Sequence, residues 1–418
     1  MKATLHASTL AAALAAMATF SGAAFAKAAK DPCFVATAGV SECDGENCAA
    51  DPKVTLKGPW QRVANCLRPL RDRWAKEGPT ETVNAGGAEV PVVDALRETI
   101  YRSMTQSNAG AALAGDPGRY VPLESVLEPD LSLKQDVARI AQLNDRGQPY
   151  SSMSQTNIAR TLFAFAALAK RGGYPQAEAD RRNYDRLGRA VVAAVLAPVS
   201  QGGLATTEPC AKAPDKTCTW FHAVTRKDLD TAQGGTLNKN LHAIRNLILI
   251  DQAAARTGGE RDPAFAAGAA AGLNQLFLAE GHDAAGKTPN LKDFLVDQNG
   301  DGPSWAYYGM NIAAAPPRGP YFLKTAERNC GYHNHVLNLM ATILDRGGDK
   351  EVDPQTRKLA LACDSPLRRM YLASSAKAPP PANAPAVEGL WCSKKGRDVS
   401  SSSNAFYESA FKNCEASR

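Results

Sequence analysis

Asn238, His242 and Arg245 stand four and three residues apart in the run from Gly234 to Asn246. At about 100° per residue that spacing puts all three on one narrow helical face. An amide, an imidazole and a guanidinium on one stripe are groups that can hold a carboxylate and move a proton. Leu237, Leu241, Ile244 and Ile248 form a second stripe about 100° away, and Ala243, Leu247 and Ile250 make much of the remaining circumference apolar. A helix of this kind is expected to be largely buried. Its polar stripe then requires either side-chain partners or a ligand in a cavity, because unpaired buried polar groups cost free energy. The structural alternative has Asn238 bonding the first turn, His242 as a satisfied core histidine and Arg245 as an interhelical ion-pair partner.

Helical periodicity dominates the elements that must position this stripe, and no alternating strand is expected. The spacing predicts helices over 60–76, 92–107, 132–144, 154–171, 175–197, 236–256, 262–280, 334–346 and 354–372. Most have end signals: Thr236 can cap the central helix, Gly172-Gly173 ends an earlier one and Gly347-Gly348 closes a later one. The reading is all-α, with repeated antiparallel helix pairs and no fixed sequence period, which fits a closed ring of pairs better than an open solenoid. Two long irregular stretches, 198–235 and 281–331, interrupt the helices and hold Trp220, Phe221, Trp305, Tyr307, Tyr308 and Tyr321. Loops of that length are usually functional or disordered, and the aromatic content argues for packing or ligand contact. Trp220, Trp305 and Tyr307, with Asn240 on the central helix, are therefore candidate substrate contacts, since flat rings cover the apolar faces of sugars. Ordinary loop packing explains the same rings.

The first 26 residues read as an export signal, with Lys2 at the positive end, an apolar, alanine-rich stretch and Ala24-Phe25-Ala26 as the cleavage pattern. A periplasmic or secreted location follows as an expectation, with no membrane anchor. The ten cysteines suit an oxidising compartment, and local staples are expected for the close pairs Cys210/Cys218 and Cys392/Cys414. Residues 27–58 form a cysteine-rich lead, 59–377 the helical domain, and 378–418 a Pro-rich linker with a clamped tail. The net charge of +6 is mild and contains no basic run, which argues against a nucleic-acid partner and is compatible with an anionic polymer. Oligomeric state is not legible.

Asp297-Gln298-Asn299-Gly300-Asp301-Gly302 matches the opening of a calcium loop, with Asp297, Asn299 and Asp301 as candidate ligands. Tyr308 occupies the position where such a loop needs a bidentate glutamate, so only a shortened calcium loop or a plain turn remains. His333 and His335 point about 200° apart on a helix and cannot share an ion there. Asn334 is expected to cap the helix that follows, leaving Tyr332 and His333 at a loop mouth facing substrate or solvent. Asp228, Asp230, Asp293 and Glu327 offer carboxylates for glycoside hydrolysis, but no spacing singles out a pair.

With these features the chain resembles the α/α-toroid enzymes that act on uronic-acid polysaccharides, such as alginate and heparosan lyases and glucuronyl C5-epimerases. The resemblance rests on the helix pairs, export, the Asn238-x-x-x-His242-x-x-Arg245 face and the stretch Asn329-Cys330-Gly331-Tyr332-His333-Asn334-His335. It implies a disulfide-stapled (α/α)n toroid with long functional loops and an acidic polysaccharide substrate. Asn238 and Arg245 would hold the carboxylate, His242 would take the α-proton, and Tyr308 or Tyr332 would return one to the leaving oxygen. β-Elimination is the leading chemistry. C5-epimerisation, inverting hydrolysis on the same scaffold and non-catalytic carbohydrate binding stay open.

Overall fold

The computed structural model describes residues 67, 70–85, 88–97, 100, 152–198, 203–222, 235–257, 261–281, 288–295, 301–306, 309–310, 320–321, 327–375 and 399–414. The export signal, the Cys33, Cys43 and Cys48 lead, the expected helix over 132–144 and the Pro-rich linker lie outside these residues. The chain divides into two compact units.

The first unit takes in the described residues before 101 together with Leu168–Asn183. Here β1 (Thr82–Ala85) and β2 (Ala88–Pro91) form an antiparallel hairpin flanked by helical segments 70–77 and 92–97. Trp74 meets Tyr174 edge to face at 5.8 Å, and Arg97 pairs with the buried Asp180 at 2.7 Å. The Tyr174 hydroxyl donates to the same carboxylate at 3.0 Å, so all of these contacts close around one buried charge.

The second unit carries the central helix. Its elements are α1 (Ser152–Ala169, as far as Ala167), α2 (Ala177–Leu196, from Tyr184), β3 (Ala205–Cys210), β4 (Ala213–Phe221), β5 (Gly235–Thr236), α3 (Leu237–Thr257) and α4 (Pro263–Phe277). They continue with β6 (Gly309–Met310), β7 (Pro320–Tyr321), α5 (Glu327–Arg346), α6 (Pro354–Ala360), α7 (Pro366–Ser375) and α8 (Ser401–Phe411).

Side-chain register shows how these helices run. Phe163 lies against Gly188 and Phe165 against Tyr184, so α1 and α2 are antiparallel. Ile244 faces Gly272 and Leu247 faces Gly268, so α3 and α4 are antiparallel too. Arg189 covers Phe265 and Leu196 reaches Gly268, which makes α2 and α4 parallel, and α1 therefore runs the same way as α3. On the other flank of α3, Asn238 meets Tyr332, His242 meets His335 and Gln252 meets Arg346, so partners advance together and α3 is parallel to α5. Three parallel helices, α1, α3 and α5, thus form one layer, with α2 and α4 running the opposite way.

The structure corrects the all-helical expectation in several places. Residues 205–221, expected to be irregular, form the hairpin β3–β4, with a register shift at Pro209/Cys210 and the Cys210–Cys218 disulfide across it. Asp215, Lys216 and Pro209 interrupt the apolar alternation, which hides these strands from a pattern search. A small antiparallel sheet, β5-β6-β7, leads directly into α3. The helix expected from Asn334 begins at Glu327, and the one expected over 354–372 is two, divided before Pro366, where a proline disfavours the helical conformation of the preceding residue. Cys414 pairs with Cys363 rather than staying local with Cys392, fixing the tail across 51 residues. The tail helix α8 lies on α5, where the Tyr407 hydroxyl donates to the Leu337 carbonyl at 2.7 Å. Among the described residues no helix is long and apolar enough to cross a membrane.

The close approach of α3 to α4 needs the glycine between them. A Cβ on Gly272 would sit 2.7 Å from both Ile244 Cγ1 and the Phe221 ring. Gly272→Ala should therefore destabilise the protein by about 1–3 kcal/mol despite alanine's better helix propensity, read as a lower midpoint in urea unfolding. An unchanged or raised midpoint would show that this interface has slack.

Candidate active site

The polar stripe of α3 is partly accessible at Asn238, His242 and Arg245, while Leu241, Ile244 and Leu247 are fully buried. The same helical spacing recurs on its parallel neighbours, with half-buried Asn157 and Arg160 on α1 and half-buried His335 and Asn338 on α5. Three adjacent helices therefore turn polar side chains to one side.

At the centre, His242 Nε2 and His335 Nε2 lie 2.9 Å apart, with ring centroids separated by 5.0 Å. One ring must donate its N–H and the other accept, so the two imidazoles share a proton between facing nitrogens. One turn earlier, the Asn238 backbone N–H donates to the Tyr332 hydroxyl at 2.9 Å, which brings a phenol to the first turn of α3. Asn238 Oδ1 is buried with no hydrogen-bond partner.

On the other side of His242, Arg245 makes a long 3.4 Å bond to Asn246 Oδ1, and its buried Nε has no partner. Asn246 is fixed in turn by donating to Thr156 Oγ1 and Asn157 Oδ1 on α1, both at 3.0 Å. Burial lowers the Arg245 pKa to about 10, and the like charges of Arg160 and Arg346 push the same way. Lys239, in the first turn, is also desolvated and held below the usual lysine range. Arg245 and Lys239 are thus cations held in part-buried positions that disfavour their charge.

Other candidates fall elsewhere. His333 is a fully buried core residue inside α5, not a loop-mouth residue: Nδ1 accepts from the Ala306 N–H at 3.1 Å and Nε2 donates to the Met370 carbonyl at 2.9 Å. Its ring lies 4.4 Å from Trp305, which is itself buried. Asn334 is interior to α5 and accepts from the Ser374 hydroxyl, so it does not cap that helix. Trp220 is fully buried and stacks on Phe294 at 5.9 Å, and fully buried Asn240 accepts the Phe221 N–H at 3.0 Å. Trp220, Trp305, Asn240 and His333 thus serve the core instead of an open sugar site. Tyr307, Tyr308, Asp297 and Asn299 lie outside the described residues, and Asp301 is exposed. No cluster of three or more metal-ligating side chains occurs among the described residues. A cleft of about 470 Å³ between β4 and α4 contains none of the stripe residues, and its Lys216 and Asp353 are paired at 2.6 Å.

The sequence reading did not group with this stripe His335, which meets His242, or Arg160 and Arg346, whose charges act on Arg245. The signal was present for the α5 pair, since His335, Asn338, Thr342 and Arg346 repeat at helical spacing opposite Leu337, Met340 and Leu344. Compared with protein-family models, curated proteins and solved structures, the chain finds no match.

Two buried histidines make the fold pH-sensitive. Burial lowers His222 to about 3 and His333 to about 4, against an ordinary value of 6.5. The unfolded chain takes up these protons first as pH falls, so stability is complete above 6.5 and declines towards 4. Each ring contributes up to about 1.4 kcal/mol per pH unit in that window. Urea unfolding from about pH 7.5 to 4.5 should show the decline; a flat profile would contradict the burial of both rings.

Proposed function

We propose that this protein is an exported enzyme that opens an acidic, uronic-acid polysaccharide by β-elimination. The observation that carries the reading is the His242–His335 contact between two parallel helices, with Arg245 one turn away. Removing the proton α to a uronate carboxylate builds negative charge on that carboxylate, which the Arg245 guanidinium would neutralise. One imidazole then takes the α-proton while its partner fixes its orientation and tautomer. The bond to the glycosidic oxygen breaks as the carbon–carbon double bond forms, and the Tyr332 hydroxyl supplies the proton to that leaving oxygen.

The layer of parallel α1, α3 and α5 with antiparallel α2 and α4 supports an (α/α)n toroid, in which inner helices present the site. C5-epimerisation is the second reading, favoured by the same two imidazoles: the carbanion formed by one could be reprotonated by the other. Inverting hydrolysis draws less support, because it needs two carboxylic acids and the stripe residues named above include none. Calcium on the Asp297–Asp301 loop would order the aromatic segment that follows it.

Absorbance near about 235 nm follows the conjugated product directly. Protein lacking the export signal should raise it with one of alginate, glucuronan, heparosan, hyaluronan or pectate, and His242→Ala should lose at least about 100-fold in rate with an unchanged melting temperature. Calcium should accelerate the reaction after chelation, and equal rates would remove that ion from the account. Full activity in His242→Ala sinks the assignment. Tight polymer binding with no product of any kind would favour a carbohydrate-binding protein.

A further inference from the structure

The helix α5 is gripped on both sides of His335. Just before it, His333 donates to the Met370 carbonyl at 2.9 Å and Asn334 accepts from the Ser374 hydroxyl at 2.7 Å. Both partners belong to α7. Just beyond it, the Leu337 carbonyl accepts from the Tyr407 hydroxyl at 2.7 Å, and the Asn338 side chain accepts from the Ser400 N–H at 2.9 Å. Those partners belong to α8 and its cap. Less than two turns of α5 therefore carry four bonds to the last two helices of the chain, while His335 turns to His242 on α3. The two gripping helices are also held to each other. Tyr371 of α7 lies 4.9 Å from the fully buried Tyr407 and 6.1 Å from Phe411, and the Cys363–Cys414 disulfide joins the chain just before α7 to the chain just after α8.

We propose that α7 and α8, closed by the Cys363–Cys414 disulfide, form a clamp that positions His335 for its contact with His242, with Tyr407 and Ser400 as positioning residues. The proposal rests on the reading of the two imidazoles as an acid–base pair and adds the element that keeps them together. A 2.9 Å contact between two ring nitrogens tolerates little movement, because a hydrogen bond weakens steeply as its angle departs from linear. Apolar packing is non-directional and leaves a helix some freedom to roll or slide. Hydrogen bonds at four positions around His335 remove that freedom. Leu337 lies inside α5, so the Tyr407 bond is not needed to form the helix; it fixes where the helix stands. The disulfide spans 51 residues, and cutting it releases the chain end that carries Tyr407.

The test follows the imidazole N–H shared by the two rings by proton–nitrogen NMR of the full-length mature protein, its signal assigned by its loss in His242→Ala and in His335→Ala. A proton held between two rings exchanges slowly with water, and exchange accelerates as the contact opens. Tyr407→Phe keeps the ring and removes the hydroxyl, and should speed exchange about three- to tenfold, the worth of one hydrogen bond. The double variant Cys363→Ser/Cys414→Ser should speed it at least as much. Phe165→Leu weakens the contact between α1 and α2, away from α5, and should leave exchange as in wild type; this separates positioning from general loosening. On the active polymer, Tyr407→Phe should lower kcat by a similar factor with KM unchanged. Wild-type exchange in both clamp variants, equal acceleration in Phe165→Leu, or no shared N–H in the wild type overturns the clamp. Exchange is read without turnover: accelerated exchange in a protein that cleaves no polymer retains the clamp and removes the lyase chemistry.

Discussion

The parallel register of α3 and α5 is the constraint on which the site depends. Contacts at Asn238–Tyr332, His242–His335 and Gln252–Arg346 keep the offset along the two helices within one residue. A slip of one residue on either helix would rotate its side chain by about 100° and separate the imidazoles. The register is held from behind by the apolar faces of the same helices: Ile244 and Leu247 against the glycines of α4, and Leu337 and Met340 in the core. Burial of those faces fixes the azimuth of the polar ones, so the chemistry of the stripe follows from the packing of its opposite side.

Polar groups in this layer differ in what their hydrogen bonds hold. Asn246 and His333 are buried and spend hydrogen bonds on holding helices and a ring in place, while fully buried Asn240 holds a strand end through Oδ1 and leaves Nδ2 without a partner. Arg245 and Asn238 are half-buried and keep a polar atom without a partner. Leaving such groups unsatisfied costs free energy, at the half-buried stripe as at buried Asn240. The charge of Arg245 has the sign that the proposed proton abstraction from a uronate would need.

Much of this was legible in the chain. The stripe on α3 and its apolar surroundings follow from spacing alone, as do Asp262-Pro263 at the start of α4 and the glycines after α1. What escaped has identifiable causes. The start of α5 was placed seven residues late because Gly331 and the polar Asn-His run mimic a loop, and tertiary packing overrode that local preference. A start at Asn334 puts His333 at a loop mouth, whereas the longer helix buries it and turns His335 to His242. Trp220 illustrates a different limit: a tryptophan in a polar segment reads equally as a sugar platform or as core, and only the placement of Phe294 against it decides for core. The Cys363–Cys414 bridge joins positions whose proximity depends on the whole helical arrangement, so spacing could not supply it.

The central claim is that His242 and His335 act as one acid–base unit. A double-mutant cycle on turnover of the active polymer, with His242→Ala, His335→Ala and the double variant, tests it most directly. Groups that act together lose their function together, so each single variant should fall at least about 100-fold and the double should fall little further than the worse single. Multiplicative losses in the double variant, or near-normal turnover in His335→Ala, would contradict the pairing.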